Sequence, residues 1–293
     1  MRASTFLFTT IAFVLLSSIF TACQPEPLPI KLPQEEEKIV VASQIVPNNT
    51  MILALSRTFS ALTQTDTGVG NDLLDKILID RGFVTVGYNG QIDTLVKVAP
   101  GFYGSFTTPL LNNVVYELYV YDSTTGKSVT AETRLQPSVH LDAMFIETQS
   151  TLKDTNRTLY LSFNDPAGEN YYMINVYKNR DFVLNTISNP AEIFSTNPDA
   201  QATYPLSDKL FAKGPHTEAI DISDWFGKGD TLTATLSSIS ADYYAYLVQK
   251  QRAARNGLGA FFGEPVNYTS NVRNGYGFFT AHWPSSRQII LRD

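Results

Sequence analysis

The chain has 293 residues, with 22 Lys and Arg against 28 Asp and Glu, three His and a single Cys. The net charge of −6 argues against a nucleic-acid binder, whose partner calls for a basic face, and against a surface that lies on anionic lipid. One cysteine excludes an internal disulfide, so the fold must rest on its core, which a chain of this length can bury. Charged residues are only 17%, while 18 Phe and 15 Tyr, with Thr-rich segments between them, point to β structure.

Arg2 is the one charge ahead of Cys23. Between them runs the apolar stretch 6–20, closed by the small residues Thr21 and Ala22. A positive start, a short apolar run and small residues at a cleavage point make an export signal, and the run falls short of the ~20 apolar residues of a spanning helix. Phe20-Thr-Ala-Cys23 resembles the lipobox of bacterial lipoproteins, in which the signal is cut before the cysteine and that cysteine is acylated; Phe20 stands where Leu is commonest. On this reading residues 1–22 are a lipoprotein signal peptide and Cys23 is the lipid-attachment site. The mature chain of 271 residues then carries 21 basic against 28 acidic residues. The competing reading, an ordinary signal beside a stray thiol, leaves a lone free cysteine in an exported protein, which invites unwanted pairing.

Residues 23–37 contain four prolines and no helix or strand period, so they read as an extended, semi-rigid tether. Glu35–Glu37 fit a solvated linker better than an acidic sorting signal, which sits closer to the cysteine. A first strand is expected over 38–46, a turn at Pro47-Asn-Asn-Thr50 and a second strand from Met51. Residues 63–70 read as a loop, and 73–79 are ambiguous between helix and strand. Phe83–Tyr88 alternates, Asn89-Gly90 is a strong hairpin turn because both residues tolerate positive φ, and Ile92–Val98 is its return strand. Val114–Tyr121 is the clearest strand, with Ser128–Leu135 returning from Asp122-Ser-Thr-Thr-Gly126. Short strands broken by turn residues predict an immunoglobulin-like sandwich over 38–136.

The second half, 137–293, predicts another β domain. Strands are expected at His140–Thr148, Thr158–Phe163, Asn170–Tyr177 and Asp230–Ser237, with 185–218 a long irregular excursion. Asn164-Asp-Pro-Ala-Gly168 has the chemistry of a hairpin turn. Asp165, Glu169 and Asn170 are also oxygen donors of the kind Ca²⁺ takes, but their spacing does not match an EF-hand. The period then changes to that of a helix over 240–256: Ser240 can cap it, Asp242 opposes its positive end, and Asn256-Gly257 stops it. Tyr243, Leu247 and Val248 share a face that is expected to pack on a sheet. After a Gly-rich stretch and a loop to Gly275, strands are expected at Tyr276–Trp283 and Gln288–Leu291. The expected fold is mainly β: two β-sandwich-like (immunoglobulin- or prealbumin-like) domains with one helix near the C-terminus.

No catalytic motif is visible. His140, His216 and His282 lie apart, without a second His or Cys at metal spacing, and no nucleophile elbow, Walker loop or dinucleotide fingerprint is present. No metal or cofactor is expected. The aromatic block 261–279, with Phe261, Phe262, Glu264, Tyr268 and Tyr276, is the candidate partner or ligand surface, since exposed aromatics stack on sugars or bury in a partner. The alternative is that these rings fill the core beside the helix, and burial of Phe261 and Phe262 decides between the two.

The lipobox, the tether, the opening Ile-Val-Val strand, Asn164-Asp-Pro before Tyr171-Tyr172, and the end pattern fit together. That end pattern comprises Asp242-Tyr-Tyr, Phe262-Gly-Glu-Pro-Val266, Tyr268-Thr-Ser-Asn-Val272 and Asn274-Gly-Tyr-Gly-Phe-Phe279. Taken as a whole, the chain resembles the lipoproteins grouped as domain of unknown function 4249 (DUF4249). The resemblance implies an outer-membrane lipoprotein, facing the periplasm or the cell surface, that works near a TonB-dependent uptake system as an accessory or ligand-binding partner. It assigns no reaction and no binding residues. A structural or adhesive surface protein, and a glycan hydrolase with carboxylates assembled by the fold, are the alternatives.

Overall fold

The computed structural model describes residues 36–46, 50–58, 77–150, 155–178, 201–223, 229–255 and 268–291. Among these residues the chain is mostly β, in four sheets that pack as two sandwich-like pairs, with one α-helix near the C-terminus. The expected fold class holds.

In the first pair, one sheet contains β1 (Ile39–Val46), β2 (Thr50–Arg57), β5 (Val96–Ala99), β6 (Phe102–Ser105) and β16 (Tyr276–Phe278), in the order β16-β1-β2-β6-β5. The facing sheet contains β3 (Gly82–Tyr88), β4 (Gln91–Thr94), β7 (Val115–Asp122), β8 (Lys127–Arg134) and β15 (Val272–Arg273), in the order β15-β8-β7-β3-β4. Strand β7 shows why: Tyr116, Leu118 and Val120 point inward while Tyr119 and Tyr121 face out, the period-two pattern of a half-buried strand. Asn89 and Gly90 take φ of 46° and 75° and close the β3–β4 hairpin, as their turn chemistry requires.

The return from that turn is two strands rather than one. β4 pairs with β3 and β5 with β6 in the opposite sheet. The chain changes sheets at Leu95, whose side chain is buried and whose N–H reaches Val84 O at 2.9 Å. One alternating run can cross a sandwich this way, because alternation specifies a buried face and not the sheet that supplies it.

In the second pair, β9 (Leu141–Ser150), β10 (Thr155–Asp165) and β13 (Gly214–Asp221) lie in the order β13-β10-β9. They face β11 (Tyr171–Lys178), β12 (Gln201–Ser207), β14 (Thr231–Ile239) and β17 (Ser285–Ile290), ordered β12-β11-β14-β17. Leu159, Leu161 and Phe163 meet Tyr172, Ile174 and Val176 in the core. The expected irregular excursion over 185–218 therefore contains strand β12 and the start of β13. Their prolines, Pro205 and Pro215, hid them; both sit on edge strands, where a missing N–H is tolerated. The expected hairpin at Asn164–Gly168 is also corrected. β10 and β11 belong to different sheets, so the turn arches across the sandwich, and Phe163 and Tyr172 meet edge to face at 5.0 Å.

Helix α1 (Ala241–Arg255) starts at Ser240, whose Oγ accepts the Tyr243 N–H at 3.2 Å. Tyr243 and Leu247 are buried against Met173, Ile239 and Phe278, so the helix packs on a sheet as expected. The segment after it does not stay in the second pair. β15 pairs with β8, and β16 runs parallel to β1, with Gly277 opposite Val41. Phe279 and Ala281 are buried in the first core. The expected single strand Tyr276–Trp283 is a ladder only over Tyr276–Phe278, and the expected loop before it contains β15.

Candidate functional site

The seam between α1, β11 and the returning segment is aromatic. Tyr243 and Tyr246, three residues apart and therefore neighbours on the helix, stack at 5.9 Å, and both meet the Phe278 ring, at 5.0 and 5.5 Å. Tyr246 continues to Tyr268 at 6.1 Å, while Tyr244 meets Tyr171 of β11 at 4.9 Å. Burial pushes the Tyr243 and Tyr246 hydroxyls up, so both stay protonated and serve as hydrogen-bonding ends of apolar rings. Tyr268 lies at the outer end of this ladder and is 39% exposed.

Behind the rings lies a buried polar layer. The Ile45 N–H donates to His282 Nε2 at 3.2 Å, and His282 Nδ1 lies 2.9 Å from Ser237 Oγ. A backbone N–H only donates, so Nε2 is unprotonated and Nδ1 carries the proton toward the serine. Gln44 Oε1 is 3.2 Å from the same Nε2, and Gln44 Nε2 is 3.4 Å from the Tyr243 hydroxyl; turning the amide over exchanges donor for acceptor at both contacts. Ser43 Oγ accepts the Thr280 N–H at 2.6 Å and lies 3.1 Å from Thr280 O, to which it donates. Burial drives the His282 pKa down to about 3. The His282–Ser237 contact has the form of a base beside a nucleophile, but both residues are shut off from solvent, which makes the contact structural.

The sequence-derived candidates are distributed unevenly about this seam. Cys23, Phe261, Phe262 and Glu264 lie outside the described residues. Tyr268 packs on Tyr246, whereas Tyr276 sits on β16 at the first sandwich, its hydroxyl 3.2 Å and its ring 4.7 Å from Lys38 Nζ. The other histidines are apart from both. His140 Nδ1 lies 3.3 Å from Ser285 Oγ, and His216 pairs with Glu218 at 3.0 Å and stacks on Phe211.

Two surfaces went unremarked in the sequence. Phe83, Tyr119 and Tyr121 project from the outer face of β3 and β7, with Phe83 directly opposite Tyr121; the alternation of both strands carried that signal. A cleft of about 590 Å³ opens where β9 and β17 part, lined by Ile146, Thr148, Gln288, Ile289, Ile290 and Leu291. No local pattern announces it, because its walls come from opposite ends of the domain.

The architecture defines a β-sandwich protein whose two pairs of sheets are joined through a helix and a returning C-terminal segment. The chain belongs to the family described as domain of unknown function (DUF4249), whose profile matches residues 25–288. No curated protein matches it. Among solved structures it is similar to a DUF4785 family protein from Legionella pneumophila subsp. pneumophila str. Philadelphia 1, at 14% identity and a TM-score of 0.23. The match covers 64% of this chain and 48% of that one, so the chain spans about half the length of that protein. A likeness this distant carries no argument about function. Among the described residues no helix is long and apolar enough to cross a membrane.

Proposed function

We propose that this protein is an outer-membrane lipoprotein, acylated at Cys23, that serves a TonB-dependent nutrient-uptake system as an accessory or ligand-binding partner and carries out no reaction of its own. The observation that carries the reading is Phe20-Thr-Ala-Cys23 at the end of a short apolar run. Several acyl chains on one cysteine give durable attachment, where one chain alone is marginal. The Pro-rich tether then holds the sandwiches away from the bilayer. Half-exposed Tyr268 and Tyr276 suit a protein interface, in which aromatic side chains are enriched.

Two measurements in cells test this. Labelled fatty acid is expected to enter the wild type and to be lost in Cys23→Ala; an unlabelled wild type would end the lipoprotein reading. Cross-linking in intact cells followed by mass spectrometry is expected to recover a TonB-dependent receptor. The exposed Phe83, Tyr119 and Tyr121 face favours a second reading, a structural or adhesive surface protein. Recovery of matrix or neighbouring-cell components alone would favour it.

A further inference from the structure

Four oxygen atoms converge on one side-chain nitrogen, Asn170 Nδ2: Pro166 O at 2.9 Å, Asp165 Oδ1 at 3.3 Å, Asp208 Oδ2 at 3.4 Å and Gly168 O at 3.5 Å. An amide NH₂ has two protons and can satisfy two of the four. Both carboxylates are buried, with Asp165 only 3% exposed. Asp165 Oδ1 also accepts the Tyr172 hydroxyl, whereas its Oδ2 is buried with no hydrogen-bond partner. On the solvent side Lys213 Nζ stands 4.0 Å from Asp208 and Lys209 is engaged by Glu169 at 2.8 Å. Lys213 reaches only Asp208, at the limit of an ion pair, and among the described residues no ion pair reaches Asp165. A desolvated carboxylate beside a neutral amide is costly without a matching positive charge.

We propose that the β10–β11 arch and the end of β12 form a Ca²⁺ site, the ion occupying the point where the Asn170 amide nitrogen now sits. Asp165 and Asp208 supply the charge, Pro166 and Gly168 supply carbonyls, and the Asn170 side chain swings back from that point so that its Oδ1 faces the ion. The donors are all oxygen, which selects a hard cation over zinc. Ca–O distances are 2.3–2.6 Å, so the four oxygens close in by roughly 0.5–1 Å, and Ca²⁺ accepts irregular loop geometry where Mg²⁺ demands an octahedron. Coordination through the orphaned Asp165 Oδ2 gives that atom its missing partner. The sequence alone gives too few donors at the wrong spacing for an EF-hand. The residue it lacks is Asp208, 38 positions beyond Asn170, whose Oδ2 already accepts the Asn170 N–H at 2.8 Å. Bound ion would clamp the two sheets of the second sandwich at one end.

The test uses the full chain purified in detergent and freed of divalent ions, with Tb³⁺ as a luminescent probe excited through the neighbouring tyrosines. Saturable emission is expected, displaced by Ca²⁺ with half-saturation on the order of 10⁻⁴–10⁻³ M, the range of extracellular Ca²⁺ modules, and not by Mg²⁺ at the same concentration. Asp165→Asn and Asp208→Asn are each expected to weaken binding at least tenfold, and Ca²⁺ to raise the melting temperature of the wild type alone. Asp208→Asn, at the start of a short 3-10 turn, remains informative if Asp165→Asn fails to fold. Absence of saturable, Ca²⁺-displaceable emission from the wild type overturns the site. Wild-type affinity in folded Asp208→Asn, or displacement by Mg²⁺ as readily as by Ca²⁺, overturns it equally.

Discussion

Ile45 donates its backbone N–H to the imidazole of His282, 237 residues further along the chain. This bond, with the one from His282 to Ser237, joins β1 of the first sandwich to β14 of the second through a side chain that neither strand contains. Replacing His282 with Leu leaves the Ile45 N–H and the Ser237 hydroxyl without these partners in a buried layer. The expected cost is about 2–4 kcal/mol, read as a lower urea midpoint at unchanged slope. A midpoint equal to that of the wild type would show that the layer does not hold the two sandwiches together.

The same histidine makes stability depend on pH. Its native pKa is held near 3 by burial, against 6.5 ordinarily. Between these values the unfolded chain binds a proton that the native protein does not. Stability is therefore complete above pH 6.5 and declines as the pH falls toward 3, by up to ~1.4 kcal/mol per unit. His282→Gln is expected to flatten the part of the profile between pH 6 and 4. A wild-type curve with no slope in that window would contradict the assignment.

Arg57 on β2 grips Asp122 at the end of β7 with two bonds, of 2.7 and 2.9 Å, across the first sandwich. Burial alone would raise the Asp122 pKa, but Arg57, the Thr125 hydroxyl and the Thr124 N–H together hold it below the ordinary 3.8. Its contribution is present above pH 3.8 and is lost only below, which separates it from that of His282. Asp122→Ala strips a partly buried guanidinium of this carboxylate and is expected to cost about 3 kcal/mol, the low end for a buried pair. Arg57→Met combined with Asp122→Leu is expected to recover most of that loss in a denaturation series. If the double variant is no better than the single, the fork contributes more than charge compensation.

Gly277 has φ +92°, and a Cβ there would stand 1.9 Å from Val41 O. The parallel pairing of β16 with β1 therefore requires glycine. Gly277→Ala is expected to cost more than about 3 kcal/mol through steric conflict and backbone strain. Gly90→Ala, with φ +75° and nothing near its Cβ, is expected to cost about 1 kcal/mol. Equal thermal shifts in the two variants would show that the returning segment gives way without cost.

Tyr268 and Tyr276 offer a separate test of the proposed function. Both are more than a third exposed, so Ala substitutions are expected to change stability by about 1 kcal/mol or less. They are nonetheless expected to reduce the yield of the cross-linked transporter complex in cells. Full cross-linking by the folded double variant would place the partner surface elsewhere.

The strands β7 and β8, the Asn89-Gly90 turn and the Ser240 cap were legible in the sequence because each is a local matter of side-chain period or backbone preference. The candidate seam was half legible: the aromatic residues stood out, but not their division between Tyr246 on α1 and Lys38 just ahead of β1. Pro205 and Pro215 concealed two strands, since a sequence does not reveal that a strand will lie at an edge. The switch of sheets at Leu95, the arch from Asp165 to Tyr171, the return of β15 and β16 to the first core, and the meeting of Asp208 with Asn170 were decided only by tertiary structure. Alternation marks which face of a strand must be buried, while the partner that buries it is selected by packing among segments distant along the chain.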